Sequence, residues 1–245
     1  MEHATHKPAE KETLDIAEKG GARQGVRQSL DRRLFMQLAV FTDCRDPRPL
    51  VEELKKSGLP SALYADANDP RGVGVLAFDE DPSLFTGRLR EVLCGPNFDK
   101  LTPRPEMTML GRTYSLGYEP DLEDWLLKRP KRVVLDPAQS WAVWYPLRRT
   151  GAFNKLPHEE QMQVLKEHGN IGRAFGDAGF AQDIRLACFG LDARDNDFVI
   201  GLIGPKLYPL SAVVQAMRKT RQTSEFIQSM GPFFVGKALW QPPVS

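Results

Sequence analysis

Apolar and polar positions along the chain follow strand-like and helix-like spacings in a definite order. Leu34–Phe41 is an almost continuous apolar run, which is typical of a strand covered on both faces. Pro49–Ser57 has apolar residues at helical spacing and is followed by Gly58, a residue type that often ends helices. The pattern then predicts two strands joined as a hairpin, a helix and a further strand: Ser61–Asp66, Val73–Phe78, Pro82–Leu93 and Met107–Leu116.

The second half of the chain repeats this order of elements. Residues 72–85 can be laid against residues 198–210, and in both a strand runs into a turn and then a helix. The repeat predicts an α+β fold of two ferredoxin-like units with antiparallel sheets covered by helices. Its predicted elements are strand Trp141–Tyr145, helix Pro157–Phe175, strands Ile184–Phe189 and Phe198–Ile203, helix Leu210–Ile227 and strand Pro232–Ala238.

The same pattern sets the expected domain boundaries. Residues 1–28 are polar, contain three glycines and lack a sustained period, so we expect a mobile polar tail. Residues 29–118 form the N-terminal unit and residues 141–245 the C-terminal unit. Residues 119–140 connect them, with a linking helix expected at Glu119–Arg129.

Composition excludes several classes of protein. The 33 Lys and Arg residues nearly balance 32 Asp and Glu residues, so no nucleic-acid partner is indicated. A hydrophobic share of 41% is enough for a packed core. The apolar runs are too short to cross a bilayer and no signal peptide is recognisable, so we expect a cytoplasmic protein without a membrane span.

Cysteine and histidine are scarce. Cys44, Cys94 and Cys188 are scattered without a C-x-x-C pair, so we expect small buried side chains rather than a disulfide framework or a zinc site. Of four histidines, His168 alone lies in the middle of a predicted helix, on the face that also carries Leu165, Gly169, Gly172 and Phe175.

This glycine-bearing face of the predicted helix has two interpretations. Gly169 and Gly172 remove side-chain bulk beside the imidazole, so a large flat group could lie there. A neutral imidazole is a common ligand of heme iron. A core histidine with glycines that permit close packing fits the pattern too, and a lone histidine more often has that role.

The segment Trp141–Arg149 is the second candidate. Strand alternation places Tyr145 on the face shared with Trp141, and Pro146 is expected to end regular pairing. Arg148 and Arg149 would then lie at the strand end. A ligand with an apolar body and a carboxylated rim would suit this arrangement, whereas an aromatic core strand with solvated arginines is the simpler interpretation.

Five short segments follow one another along the chain: Trp144–Pro146, Leu165–Arg173, Gly190–Asp192, Ala216–Arg218 and Gly231–Gly236. Taken together, they resemble the chlorite dismutase-like heme protein family, and especially its coproheme decarboxylase branch. They occur in the family's order, and the resemblance covers approximately Leu34 to Ala238.

The resemblance implies a cyclic homopentamer with heme in the C-terminal unit. His168 matches the proximal iron ligand, and Tyr145 matches the tyrosine that is oxidised to a radical and abstracts hydrogen from a propionate. Arg132 and Ser224 fall at or near positions that hold propionates. Arg149 stands where the branch has a lysine, which keeps the charge but changes the geometry.

Two positions depart from the family pattern. The distal position, arginine in chlorite dismutases and often glutamine in decarboxylases, falls on Asp183, with Gln182 or Arg185 as alternatives. Strand alternation sends Asp183 and Arg185 to the same side. Ile203 lies near the place of the acid that supports the proximal histidine. An aspartate could act as a base toward peroxide but would oppose an anionic oxidant such as chlorite.

The leading hypothesis is therefore a heme enzyme of heme biosynthesis. It would bind heme, as iron coproporphyrin or heme b, and use hydrogen peroxide to decarboxylate two propionates of iron coproporphyrin to vinyl groups. One alternative is a chlorite dismutase or heme peroxidase. Another is a non-enzymatic porphyrin carrier or a structural oligomer of the same fold.

Overall fold

The computed structural model of the protein describes residues 14–242. The N-terminal elements are β1 (Glu18–Arg23), β2 (Val26–Leu30), β3 (Phe35–Thr42), α1 (Arg48–Ser57), β4 (Ser61–Asp66), β5 (Val73–Asp79), α2 (Ser83–Thr86), α3 (Arg88–Leu93), β6 (Thr102–Pro103), a 3₁₀ turn (Pro105–Met107) and β7 (Met109–Thr113). The C-terminal elements are a π-helical turn (Asp124–Lys128), α4 (Arg129–Leu135), β8 (Trp141–Arg149), α5 (Gly151–Asn154), α6 (His158–Asp177), β9 (Gln182–Ala187), β10 (Phe198–Gly204), α7 (Leu207–Met217), α8 (Arg221–Phe226), β11 (Ile227–Met230) and β12 (Phe234–Trp240).

Eight of these strands form one antiparallel sheet that closes on itself. The first unit has the strand order β7-β3-β5-β4, and the second has β9-β10-β8-β12. Both orders are those of a ferredoxin-like βαββαβ unit. The units join through β7–β9 and β4–β12 pairing, so the predicted duplicated α+β fold is confirmed.

The two faces of the closed sheet separate its apolar residues. The inner face packs Trp144, Tyr64, Phe78 and Phe234 into the main core. The outer face of the first unit packs against α1 and α3, and that of the second unit packs against α6 and α7. Strand alternation therefore sends Tyr145 outward, toward α6 and α7, while Trp144 points inward.

Three predicted helices differ from the structure by a break or by a later start. The helix expected at Pro82–Leu93 is divided into α2 and α3 around Gly87, and the helix expected at Leu210–Ile227 is divided before α8. The linking helix begins at Asp124 rather than Glu119. Glu119 instead holds a loop, because its carboxylate accepts the N–H groups of residues 116, 117 and 118 at 2.7, 2.9 and 3.1 Å.

Pro146 does not end β8, contrary to the prediction. The strand continues to Arg149, and Pro146 lies opposite Val199 of β10. A proline lacks only its N–H, and the Pro146 carbonyl still accepts a 2.9 Å hydrogen bond from the N–H of Gly231. The longer strand carries Arg149 onto the same outward face as Tyr145.

The N-terminal tail prediction is wrong for the part of residues 1–28 that the structure describes. β1 and β2 form a hairpin, whose turn has positive φ at Gln24 and Gly25. Gly20 and Gly21 let β1 approach the loop at Glu119, where a Cβ on Gly21 would lie 3.2 Å from the Glu119 carbonyl. Gly20 and Gly21 allow close packing of the hairpin, whereas the sequence pattern indicates a mobile tail there. Residues 1–13 lie outside the described residues.

Gln28 fastens this hairpin to the rest of the fold. Its amide nitrogen donates to the carbonyls of Gly21 and Glu119 at 2.9 and 3.1 Å, and its oxygen accepts from Leu122 N–H at 3.0 Å. We expect Gln28→Ala to lower the free energy of unfolding by about 1–3 kcal/mol, because partly buried backbone groups lose their partners. Urea unfolding measures the change. Gln163→Ala, at an exposed position of α6, is the control and should change stability by no more than about 0.5 kcal/mol.

The cysteines are free thiols with different surroundings. Cys44 and Cys188 are buried, and burial raises the pKa of Cys188 to about 12. Cys94 is exposed, so the expectation of three buried side chains is wrong at this position. Across residues 14–242, none of the helices combines the length and the apolar composition needed to cross a membrane.

Candidate functional site

A cavity of about 530 Å³ lies on the outer face of the C-terminal unit. Its floor is the sheet formed by β8, β9 and β10, and its other walls come from α6, α7, α8 and the loop that precedes the π-helical turn. The lining includes His168, Tyr145, Asp183 and Arg149, so the structure brings four of the predicted site residues together.

Helix α6 projects little side-chain bulk into the cavity beside His168. The predicted face, which carries His168, Gly169 and Gly172, does line the cavity. A Cβ added to Gly169 would meet nothing within 4 Å, and one added to Gly172 would meet only the Met217 methyl group at 3.5 Å. The two glycines therefore leave open space next to the imidazole. They do not serve close packing of α6 on the sheet, because no sheet atom lies within 4 Å of a Cβ built at either position.

His168 presents a neutral imidazole to this space. Its Nδ1 lies 3.3 Å from the Thr220 hydroxyl oxygen, and its Nε2 has no hydrogen-bond partner within residues 14–242. Burial, together with the positive charges of Arg149 and Arg185, lowers the pKa of His168 to about 4. The ring is thus uncharged at neutral pH and keeps a lone pair available for a metal.

The sheet floor carries a row of three side chains across neighbouring strands. Tyr145 of β8 lies opposite Ile200 of β10, which lies opposite Arg185 of β9. The Tyr145 ring stacks on Phe233 with centroids 4.6 Å apart, and burial raises the pKa of its phenol. Tyr145 is therefore a protonated, immobilised phenol on the cavity wall.

Arg149 is a half-buried cation without a side-chain carboxylate partner in the described part of the chain. Its guanidinium lies over the rings of Phe153 and Phe198, at 4.5 and 4.6 Å from their centroids. Its Nε has no hydrogen-bond partner among residues 14–242, and burial lowers the pKa of the side chain. The expected solvated arginine is therefore an unpaired charge that would gain from an anion in the cavity. Arg148, by contrast, pairs with Asp195.

Asp183 is held between two arginines. Its carboxylate lies 3.2 Å from Arg129 Nη2 and 3.4 Å from Arg185 Nε. Arg129 also donates to the Gln182 oxygen at 3.0 Å. Both guanidinium groups lie over the Trp125 ring, at 4.7 and 4.6 Å from its centroid. All three candidates for the distal position, Gln182, Asp183 and Arg185, line the cavity, and the charge of Asp183 is compensated.

The part of the chain that contributes most of this cavity is similar to a known family. Residues 127–239 match the family model described as chlorite dismutase. This C-terminal part of the chain therefore resembles chlorite dismutases.

Solved structures share the fold at low sequence identity. A protein described provisionally as a chlorite dismutase, TA0507, superposes with a TM-score of 0.68 at 15% identity, covering 85% of this chain and 96% of that chain. A heme-binding protein from Thermus thermophilus gives a TM-score of 0.64 at 19% identity, over 86% and 92% of the two chains. Chlorite dismutase from Candidatus Nitrospira defluvii, in complex with imidazole, gives 0.63 at 15%, over 85% and 92%.

Two predicted residues lie outside the cavity. Arg132 is exposed and pairs with Asp124 at 3.0 Å, because it lies on the solvent side of α4 while Arg129 reaches the cavity. Ser224 is exposed, and its hydroxyl donates to the Thr220 carbonyl at 3.0 Å. The prediction that these two side chains lie at the site is corrected accordingly.

Sequence reasoning missed several residues of this site. Arg129 had a helical position but no motif, and Thr220 and Gln222 belonged to an uninterrupted predicted helix. Gln222 is only 5% exposed, lines the cavity and leaves its amide oxygen without a partner among the described residues. Thr220, rather than the position near Ile203, supports His168, since Ile203 packs inside the closed sheet. To predict Thr220 and Gln222 at the site, one would have had to recognise that the helix breaks between α7 and α8.

Proposed function

We propose that the cavity binds an iron porphyrin with His168 as the protein ligand of the iron. The residues present fit such a group in three respects. Within residues 14–242, His168 is neutral with a free Nε2, Gly169 and Gly172 leave space beside it, and Arg149 offers an unpaired cation to a carboxylate. The likeness to a protein described as heme-binding supports the same ligand.

The reaction proposed is the peroxide-dependent oxidative decarboxylation of iron coproporphyrin in heme biosynthesis. The observation that carries it is the position of Tyr145, whose phenol lies in the same cavity as His168 and Arg149. An oxidisable phenol and a carboxylate-binding cation next to one metal ligand are what propionate oxidation requires.

The overall reaction consists of two identical steps, one for each propionate. Each propionate loses one hydrogen from its β-carbon and the bond to its carboxylate, so a C=C bond forms and carbon dioxide leaves. Hydrogen peroxide accepts the two electrons and, with two protons, becomes two waters. When bound, the iron porphyrin supplies the oxidising chemistry. Arg149 orients the carboxylate, and Tyr145 is the group placed to exchange a hydrogen atom with the propionate.

A peroxidase or chlorite dismutase activity is the second candidate, and Arg185 is the observation that favours it. This guanidinium shares the cross-sheet row with Tyr145 and lines the cavity. Its ion pairs with Asp183 and Glu119, at 3.4 and 3.8 Å, offset its charge toward a small anion such as chlorite. Decarboxylation therefore remains the preferred proposal.

The deciding experiment adds iron coproporphyrin to the purified protein and follows the absorption spectrum, then adds hydrogen peroxide and identifies the porphyrin by mass spectrometry. We expect stepwise loss of two carboxyl groups and formation of two vinyl groups. Oxygen release from chlorite with unchanged porphyrin would support the second candidate. Binding without any turnover would instead support a porphyrin carrier.

Arg149 provides a separate prediction about carboxylate recognition. We expect Arg149→Met to weaken binding of iron coproporphyrin by about 10- to 100-fold, the effect of losing a charged hydrogen bond of about 1.5–3 kcal/mol. Fluorescence quenching on titration measures the affinity. Arg132→Met removes an arginine outside the cavity and is the matched control. Equal losses in both variants would contradict the role of Arg149.

We also propose assembly into a cyclic homopentamer, as in the family that the sequence resembles. Large apolar side chains remain on the surface of the single chain, including Tyr208 at 81% and Phe189 at 59% exposure. Contacts between such patches on successive copies close into a ring when the rotation permits. Light scattering at micromolar protein concentration should give five times the mass of one chain, and a stable monomer would exclude assembly.

A further inference from the structure

Thr220 lies at the junction between α7 and α8, next to Nδ1 of the His168 imidazole. It is 1% exposed, and its hydroxyl oxygen lies 3.3 Å from His168 Nδ1. The same oxygen caps α8, accepting from Thr223 N–H at 3.4 Å. The Thr220 carbonyl accepts hydrogen bonds from both the N–H and the hydroxyl of Ser224, each at 3.0 Å. Thr220 is therefore held in place from several sides.

The direction of the hydrogen bond follows from the single hydroxyl proton of Thr220. That proton has a nearer acceptor, because the Met217 carbonyl lies 2.8 Å from the hydroxyl oxygen, whereas His168 Nδ1 lies 3.3 Å from it. Once the proton points to Met217, only lone pairs of the threonine oxygen face His168. The imidazole nitrogen at this contact must then carry the hydrogen.

We propose that Thr220 is a positioning residue that fixes His168 as the Nδ1–H tautomer and so turns an unprotonated Nε2 toward the cavity. A neutral imidazole free in water favours the other tautomer, in which Nε2 carries the proton and cannot bind a metal. The part of this inference that concerns iron rests on the proposed porphyrin binding, whereas the tautomer is a property of the protein alone.

The uncharged hydroxyl of Thr220 would influence an iron atom bound by His168. A hydroxyl acceptor is uncharged, so it orients the ring without drawing the Nδ1 proton away as a carboxylate would. Within residues 14–242, His168 Nδ1 has no carboxylate partner at hydrogen-bond distance. Thr220 thus gives an imidazole ligand of weaker electron donation than a carboxylate-supported one, and iron in this site would be held at a higher reduction potential.

The first test needs no porphyrin. Two-bond ¹H–¹⁵N correlation spectra of ¹⁵N-labelled protein at neutral pH report which nitrogen of His168 carries the proton. We expect Nδ1–H in the wild type and in Thr220→Ser, and a shift toward Nε2–H in Thr220→Val, which has the same shape without the hydroxyl. Circular dichroism checks that α8 persists. Nε2–H in the wild type would overturn the proposal, whether or not the valine variant folds.

The second test uses the protein loaded with iron coproporphyrin. We expect Thr220→Val to lower the iron–histidine stretching frequency in resonance Raman spectra and the porphyrin affinity by about 10- to 100-fold, the usual cost of losing the outer partner of a metal ligand. Thr220→Ser should restore both, and Thr220→Asp should lower the iron reduction potential. Unchanged frequency and potential in all three variants would reject the positioning role. A protein with the Nδ1–H tautomer that binds no porphyrin would reject the proposed function and leave the tautomer assignment intact.

Discussion

Replacing His168 with alanine is expected to abolish the histidine-ligated spectrum of iron coproporphyrin added to the protein. The imidazole is neutral, because burial and nearby arginines lower its pKa to about 4, and its Nε2 is free within the described residues. Loss of an outer partner alone costs about 10- to 100-fold in metal affinity, so loss of the ligand itself should cost more. Absorption and magnetic circular dichroism spectra measure the effect.

The control for this prediction is the second histidine of the same helix. His158 begins α6 at an exposed position outside the cavity, and His158→Ala should leave the spectrum unchanged. Alanine at position 168 also leaves a space the size of an imidazole, so added imidazole should restore a nitrogen-ligated spectrum. A wild-type spectrum in His168→Ala without imidazole would show that another group binds the iron.

Tyr145→Phe is expected to leave porphyrin binding within a few-fold of wild type and to reduce peroxide-dependent decarboxylation by at least ~10²-fold, as when a positioned hydrogen-transfer group is lost. The substitution removes only the hydroxyl. The ring remains stacked on Phe233, 4.6 Å between centroids, so packing is preserved. Mass spectrometry of the porphyrin after a timed peroxide addition measures the rate.

Two other tyrosines make this experiment specific. Tyr64 is fully buried inside the closed sheet, away from the cavity, and Tyr64→Phe should leave turnover unchanged. Tyr114 lines the cavity near Arg185, so it is the rival phenol. If Tyr114→Phe stops decarboxylation and Tyr145→Phe does not, the assigned role of Tyr145 is wrong.

Local spacing predicted the parts of the site that lie within one element. The α6 face with His168 and Gly172, and the outward direction of Tyr145 on β8, follow from helical and strand periods that hold over several residues. The same reasoning placed Asp183 and Arg185 on one side of β9, where both line the cavity. These residues were predicted because a regular element fixes the relative direction of its own side chains.

Residues contributed by breaks and loops could not be predicted in this way. Thr220 and Gln222 reach the site because the chain turns between α7 and α8, and no apolar period records that turn. Arg132 was predicted at the site and Arg129 was not considered, although of these two residues of α4 it is Arg129 that lines the cavity while Arg132 pairs with Asp124. The resemblance to the family was not precise enough to distinguish two arginines that lie three residues apart.

Periodicity was enough to predict the repeated order of strands and helices, the duplicated ferredoxin-like fold, and the faces that carry His168 and Tyr145. Such features depend on the spacing of neighbouring residues. Three contacts became visible only in the folded chain: the β1–β2 hairpin packs on the loop at Glu119, the half-buried Arg149 has no side-chain carboxylate partner within residues 14–242, and Thr220 contacts His168. Each of these contacts joins residues from separate elements, whose meeting depends on how the closed sheet brings distant parts of the chain together.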